Sequence, residues 1–208
     1  YLNSPESEIY QKSKSLYGIF HAKKALSQKD NCFLVEGYTD VISLHQSGIE
    51  NTVASSGTSL TTEQIRLIGR YTRNITVLYD GDPAGIKASL RGIDMILQEG
   101  LTVKVVLFPD NDDPDSYVRK HGGPETVEFI RSAAKDFVVF KTGLLIGEAS
   151  NDPVRKAAVI RDVVETISGI PDPILRSTYV KQCSSLMDIA ENVLLNELNK
   201  MRRQQLRK

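Results

Sequence analysis

The chain has 208 residues, of which 40% are hydrophobic and 25% charged, and its formal net charge is zero at pH 7. Zero net charge excludes a global electrostatic field that would attract nucleic acid, so any such binding must come from local patches. No apolar run is long enough to span a membrane, and residues 1–30 contain no signal-peptide core, so we expect a cytoplasmic protein.

Residues 1–30 predict a loop followed by a helix. The opening "YLNSPES" is rich in turn-forming residues, whereas apolar residues recur at mixed helical spacing between Ile9 and Leu26. The lysines among them are Lys12, Lys14, Lys23 and Lys24. They could form a basic track for a nucleic-acid strand or a solvated helix face, and the pattern alone favours the solvated face. Because the chain begins at Tyr1 without methionine, we also expect a piece of a longer protein.

From residue 31 onward, short β-branched strands alternate with helices. The predicted strands are "CFLV" (32–35), "NTVAS" (51–55), "ITVLY" (75–79) and "TVKVVLF" (102–108). The predicted helices between them are "TDVISLHQSG" (39–48), "TTEQIRLIGRY" (61–71) and "PAGIKASLRGIDMILQEG" (83–100). This alternation predicts an α/β domain over residues 31–123, with a mostly parallel sheet flanked by helices.

Residues 124–208 predict a small all-α subdomain without strands. Amphipathic helices are expected over 125–147, over 152–168 and from 173 onward. In the last region, Asp188 followed by Glu191 is typical of a capping box, which predicts a break near Met187.

The two cysteines predict buried thiols. Cys32 and Cys183 are far apart in sequence, and each lies in an apolar run. Small buried side chains in a reducing compartment fit this pattern better than a disulfide or a zinc site. We therefore expect no zinc.

Acidic residues follow three of the predicted strands. Glu36 comes after the first strand, Asp80 and Asp82 after the third, and Asp113 and Asp115 after the fourth. The carboxyl ends of parallel strands lie at one edge of a sheet, where ligands bind. These side chains are therefore expected to converge.

The pair formed by Asp80 and Asp82 implies either that one of the two is protonated or that a cation lies between them. Two carboxylates about 4 Å apart repel by roughly 4 kcal/mol at an effective dielectric of about 20. Oxygen-only ligands without nearby histidine or cysteine favour Mg²⁺, or Mn²⁺ in its place. The alternative is structural: Asp80 caps the next helix, and Asp82 lies in a turn.

Four motifs in order, "EGYTD", "GTSLT", "DGDPAG" and "DPDSYV", resemble the Toprim domain of primases, topoisomerases and some nucleases. The flanking "YLNSPES", "YQKSKSLYGI" and "VRKHG" resemble the bacterial DnaG-type primases. The resemblance covers residues 1 to about 125 closely. It covers residues 126–208 more loosely, as the helical subdomain of that family, and it makes residues 1–30 the N-terminal flank of the polymerase core.

The resemblance implies roles for individual residues. Glu36 would be a metal ligand and a general acid or base, and Asp80 and Asp82 would be the principal metal ligands. The supporting acidic residues would be Asp40, Asp113 and Asp115. Asn3 and Lys12 would lie near the nucleotide and the template.

The implied function is that of a bacterial replicative primase core, which makes short RNA primers from ribonucleoside triphosphates. Its partners would be a single-stranded DNA template, nucleotides and the RNA–DNA hybrid, with the chain itself a monomer. The replicative helicase is expected to bind through a region outside these residues. Two alternatives stay open: a Toprim nuclease or topoisomerase, and a non-catalytic replisome-binding module whose acidic residues are structural.

Overall fold

The computed structural model describes residue 7 and residues 11–55, 59–80, 83–110, 112–149 and 152–205, without the side chains of 83–89, 91 and 148. The described residues form two compact units. The first extends to Ile96 and includes Leu101–Ala134, and the second contains Leu97–Gly100 and everything from Lys135 onward.

A parallel sheet forms the centre of the first unit. Its strands are β1 (Cys32–Val35), β2 (Thr52–Ala54), β3 (Asn74–Tyr79) and β4 (Thr102–Leu107). They lie in the order β2-β1-β3-β4, and every pair of neighbours is parallel. The predicted parallel α/β architecture is confirmed, and the strand ends agree with the prediction to within one residue.

Five helices accompany this sheet in the described part of the first unit. They are α1 (Ile19–Lys29), α2 (Tyr38–Gln46), α3 (Thr62–Ile68), α4 (Pro83–Gln98) and α5 (Pro114–Ala133), after a short 3-10 turn at Lys12–Lys14. Thr61 caps α3 in a reciprocal capping box with Gln64. Gly100, with φ of +76°, follows α4 in the left-handed conformation that favours glycine.

One face of the sheet carries a continuous apolar core. The strands contribute Phe33, Val35, Ala54, Leu78 and Val106, and the helices and loops contribute Val41, Leu44, Ile49, Phe108, Tyr117, Val118 and Ile130. Helices α2 and α5 thus cover the sheet from the same side. Burial of these side chains is the main favourable term that holds α2 and α5 against the strands.

The predicted helix over 125–147 is wrong in its continuity. The helical span α5 begins earlier, at Pro114, and a two-residue strand β5 (Lys135–Asp136) separates it from α6 (Phe137–Ala149). Asp113 starts α5 because its Oδ1 accepts a hydrogen bond from the Ser116 amide at 2.6 Å. Gly122, with φ of +79° and ψ of 167°, is non-helical and divides α5 into two helical segments, and the second segment begins close to the predicted start at 125.

The second unit is helical, as predicted. After α6 it contains α7 (Pro153–Gly169), α8 (Pro173–Met187) and α9 (Glu191–Gln205). The break after Met187 is confirmed, but the role predicted for Asp188 is wrong. Asp188 has φ of +52° and is the C-cap of α8, whereas a capping-box residue would start α9.

Polar side chains inside the second unit are paired. The Lys141 side chain is buried, and its Nζ lies 2.8 Å from Asp162 Oδ1 and 2.8 Å from Thr166 Oγ1. The Tyr179 hydroxyl donates to Asp136 at 2.6 Å. These contacts satisfy groups that would be costly to bury alone.

Both cysteines are free and buried, as predicted. Burial raises the pKa of the Cys32 and Cys183 thiols, which keeps them protonated at neutral pH. Among the residues that the structure describes, no helix has the length and apolar character needed to cross a bilayer.

Candidate metal-binding and catalytic site

The acidic residues lie at the carboxyl edge of the sheet. Glu36 directly follows β1, and Asp80 directly follows its neighbour β3. Asp40 lies in the first turn of α2, and Asp113 is the N-cap of α5 beyond β4. Parallel pairing therefore brings four side chains to one edge, although they are up to 77 residues apart in sequence.

Glu36 and Asp80 influence each other electrostatically. The side chains of both residues are exposed to solvent at the edge. The pKa of Glu36 is raised, first because partial burial disfavours its charged form and second because the Asp80 carboxylate is negative. The two acids thus lie within interaction range of each other at the edge.

Asp40 lies deeper in the site. Its side chain is only 7% exposed, and it accepts hydrogen bonds from the Gly37 amide at 3.1 Å and the Asp115 amide at 3.3 Å. Burial is the main reason that the pKa of Asp40 is raised to about 6. The charges of Asp113 and Asp80 add to the rise, and the two hydrogen bonds oppose it. Asp40 therefore links the start of α2 to the first turn of α5.

Asp113 and Asp115 also make structural contacts. Asp113 caps α5, while Asp115 accepts a hydrogen bond from Ser43 and pairs with Arg119 Nε at 2.8 Å. Their carboxylates are already partly satisfied within the protein. These contacts hold the start of α5 beside Asp40.

Sequence reasoning missed Asp112 and Lys120. Lys120 Nζ lies 2.5 Å from Asp112 Oδ1, and this hydrogen bond is the main reason that the pKa of Asp112 is lowered. Ser116 Oγ also donates to Asp112 at 2.8 Å. The signal was available in "DDPDSYVRK", because a helix that begins at Pro114 brings Ser116 and Lys120 onto the same face at i, i+4 spacing.

The remaining predicted site residues are Asn3, Asp82 and Lys12. Asn3 and Asp82 lie outside the described residues. Lys12 lies in the 3-10 turn, whose backbone is held by the buried Gln64 amide: Gln64 Nε2 donates to Lys12 O at 3.0 Å and to Ser15 O at 2.8 Å. The turn is thereby fixed to the start of α3.

The donor set at the edge suits a hard divalent cation, since it consists of carboxylate oxygen atoms and negative neighbours help to raise the pKa of Glu36 and of Asp40. Within the described ranges, however, no cluster of three or more histidine, cysteine, aspartate or glutamate side chains is arranged to hold a metal. The predicted third ligand, Asp82, falls outside those ranges.

The raised pKa of Asp40 predicts a pH dependence of stability in the presence of a chelator. Between pH about 4, the ordinary value, and about 6, the folded chain binds more protons than the unfolded chain. The free energy of unfolding should therefore fall as the pH rises through this window. Asp40→Asn should reduce that fall by on the order of 1 kcal/mol, after allowance for solvent screening.

Urea unfolding of both proteins at a series of pH values measures this effect. Asp110→Asn is the matched control, because Asp110 is exposed in the loop after β4. Glu36 contributes with the same sign, so some slope should persist in Asp40→Asn. Identical slopes in wild type and Asp40→Asn would contradict the assignment.

Two family models match the chain. The model described as "Toprim-like" matches residues 33–118, which include β2, β3, β4, most of β1 and the acidic residues of the edge. The model described as "DnaB-helicase binding domain of primase" matches residues 149–192, in the helical unit. The second match overturns the expectation that these residues contain no counterpart of the helicase-binding region.

Curated and solved relatives agree with these matches. A DNA primase of Clostridium acetobutylicum is 37% identical over 196 residues, which cover 93% of this chain and 32% of the relative. The crystal structure of a DNA primase domain from Pseudomonas aeruginosa superimposes with a TM-score of 0.84 at 30% identity, covering 96% of this chain and 63% of that one.

A solved DnaG primase catalytic domain bound to single-stranded DNA superimposes with a TM-score of 0.80 at 32% identity. The match covers 89% of this chain and 61% of that one. The chain thus spans about a third of the curated relative and less than two thirds of these solved chains.

Proposed function

Since the chain belongs to the family of bacterial DnaG-type DNA primases, we propose that it is the catalytic core of a DNA-dependent RNA polymerase. This core joins ribonucleoside triphosphates into short RNA primers on single-stranded DNA. The observation that carries the proposal is the convergence of Glu36, Asp40, Asp80 and Asp113 at one edge of a Toprim sheet. Phosphoryl transfer requires negative side chains at such an edge to hold divalent cations near phosphates.

Each acid has a proposed role. Glu36 and Asp80, with Asp82, would hold Mg²⁺, for which Mn²⁺ can substitute; the ions supply Lewis-acid stabilisation of the phosphoryl charge. We also assign to Glu36, which directly follows β1 at this edge, the acceptance of the proton of the attacking 3′-hydroxyl. Asp40, Asp113 and Asp115 orient the surrounding loops through the hydrogen bonds described above. Lys12 and Asn3 are proposed to contact the template or the nucleotide.

The partners follow from the family. We propose single-stranded DNA, nucleoside triphosphates and the RNA–DNA hybrid as ligands of the first unit. The match over residues 149–192 supports a helicase contact through the helical unit. We place this activity in the bacterial cytoplasm, at the replication fork.

Extension of an RNA primer annealed to single-stranded DNA tests the proposal. The chain should add labelled ribonucleotides in the presence of Mg²⁺ and should not add them in the presence of a chelator. A parallel assay offers labelled single-stranded DNA without nucleotides. Cleavage without incorporation would contradict the primase assignment in favour of a Toprim nuclease. The absence of both activities, together with a melting temperature that Mg²⁺ does not change, would favour a non-catalytic module.

A further inference from the structure

A cavity of about 580 Å³ lies between α2 and the segment that leads into α1. Its lining includes Lys12, Tyr17, Phe20, His21, Ile42 and His45. The volume falls within the range of ligand-binding clefts, about 300 to 1,000 Å³. Of these residues, only Lys12 has a role in the function proposed above.

The walls of this cavity are unusually apolar for a surface. Phe20 is 70% exposed, and Tyr17 and Ile42 are each 40% exposed. Together they are three of the four large apolar side chains that are exposed in the described part of the first unit; the fourth is Val127. Exposed apolar side chains scattered singly need no explanation, but a cluster around a cleft indicates a binding surface.

The segment that carries these aromatic rings is strongly basic. Residues 11–29 contain five lysines and no aspartate or glutamate, although the whole chain has zero net charge. The five are Lys12, Lys14, Lys23, Lys24 and Lys29. Lys23 Nζ lies 4.4 Å from the centroid of the Phe20 ring, so a cation is held directly beside the most exposed aromatic group.

The backbone of the cavity is held in place. Tyr17 forms an isolated antiparallel bridge with Ala54 at the end of β2, with N···O distances of 2.8 and 3.1 Å. Gly18 has φ of +81°, and a Cβ there would come within 2.8 Å of Val41 Cγ1. The tight turn at Gly18 thus places Phe20 and Tyr17 beside α2 before any ligand binds.

The cavity is connected to the metal edge through one aromatic contact. The rings of Tyr17 and Tyr38 meet edge to face, with centroids 6.0 Å apart, and Tyr38 lies two residues after Glu36. Tyr38 thus links the aromatic wall of the cavity to the start of α2, beside the loop that carries Glu36.

We propose that this cavity binds bases of single-stranded DNA, with Phe20 and Tyr17 as stacking surfaces and the neighbouring lysines as contacts for the phosphates. The proposal rests on the proposed primase function, which supplies the DNA ligand. Aromatic faces beside lysines suit single-stranded nucleic acid because bases stack on rings while ammonium groups neutralise the backbone. A neutral polypeptide segment would use the apolar wall but would leave the five lysines of residues 11–29 without an anionic partner.

The stacking role is tested by the binding of a fluorescent oligo-dT to the 208-residue chain, measured by fluorescence anisotropy. The buffer contains a chelator and no nucleotides. Phe20→Ala should weaken binding about fivefold or more, the scale on which loss of one base-stacking ring acts. Phe20→Trp should restore wild-type affinity, because it keeps an aromatic face. Val127→Ala is the matched control, as it removes an exposed apolar side chain outside the cavity and should leave affinity unchanged.

Lys23→Gln should lower the slope of log K against log salt by about 0.7, as expected for one lost phosphate contact on a single strand. An oligonucleotide that carries 5-iododeoxyuridine should crosslink, on irradiation, to the peptide containing Tyr17 and Phe20. Unchanged affinity of Phe20→Ala, or crosslinks only elsewhere in the chain, would overturn the proposal and favour a polypeptide as the occupant.

These assays involve no chemical step, so they separate the two proposals. Loss of ribonucleotide incorporation with intact Phe20-dependent binding would contradict the primase function alone. Normal incorporation with Phe20-independent binding would contradict the stacking site alone.

Discussion

Replacing Asp80 by alanine should abolish metal-dependent nucleotide incorporation while leaving the fold intact. Loss of a residue that merely supports a metal ligand typically costs 10- to 100-fold, so loss of a direct ligand should cost at least about 100-fold in rate. The fold should survive because Asp80 is exposed at the end of β3 and contributes nothing to the apolar core. Primer extension at fixed Mg²⁺ concentration measures the effect.

Glu50→Ala is the matched control for Asp80→Ala. Glu50 is also an exposed acid of the first unit, but it precedes β2 and therefore lies towards the opposite edge of the parallel sheet. Its replacement should leave incorporation unchanged.

A second readout follows binding directly. Mg²⁺ should raise the melting temperature of wild type and Glu50→Ala, because a cation that binds only the folded state stabilises it. The shift should be smaller for Asp80→Ala. Full incorporation by Asp80→Ala at the same Mg²⁺ concentration would refute the assignment.

Replacing Leu78 by alanine should lower the free energy of unfolding of the first unit by about 2 to 5 kcal/mol. Leu78 lies in β3, which has a strand on either side, and its side chain is fully buried. Truncation removes buried methyl groups and leaves a cavity between the sheet and the helices that cover it.

Urea unfolding, monitored by hydrogen exchange of the backbone amides in β1 to β4, measures the loss of unfolding free energy in the first unit separately from that in the helical unit. Val127→Ala, at a side chain that is 42% exposed, should change stability by less than about 1 kcal/mol. If Leu78→Ala lowers the free energy of unfolding by no more than Val127→Ala does, the side chain of Leu78 in β3 does not contribute to the core as described. Because Leu78 is two residues before Asp80, weaker Mg²⁺ binding by the variant is expected as well.

Local sequence signals were sufficient for the sheet and for the ends of its strands. The runs that precede Glu36 and Asp80 are short, apolar and β-branched, so their periodicity and length identify strands without any tertiary information. Alternation with helices then requires parallel pairing, which brings the acids that follow the strands to one edge. The sequence alone therefore determined the fold class, the family resemblance and the place where the acidic residues meet.

Helix α5 shows where local reading fails. The acidic run before Pro114 has the composition of a loop, and the glycines at 122 and 123 have the composition of a helix end. The structure starts a helix at Pro114 because Asp113 caps it and because Tyr117 and Val118 pack into the core beside α2. Burial of that apolar face stabilises a helical segment that the acidic composition did not predict, whereas Gly122 does interrupt the helix, as its composition indicates.

Only the tertiary structure decided how the individual acids behave and what surrounds them. The pKa of Asp40 rises because α2 buries it near Asp113 and Asp80, which are 73 and 40 residues away in sequence. The cavity between Tyr17, Phe20 and Ile42 likewise depends on the bridge from Tyr17 to β2. Electrostatic and packing energies depend on distances between residues remote in sequence, so local patterns could indicate the edge and the lysines but not these neighbours.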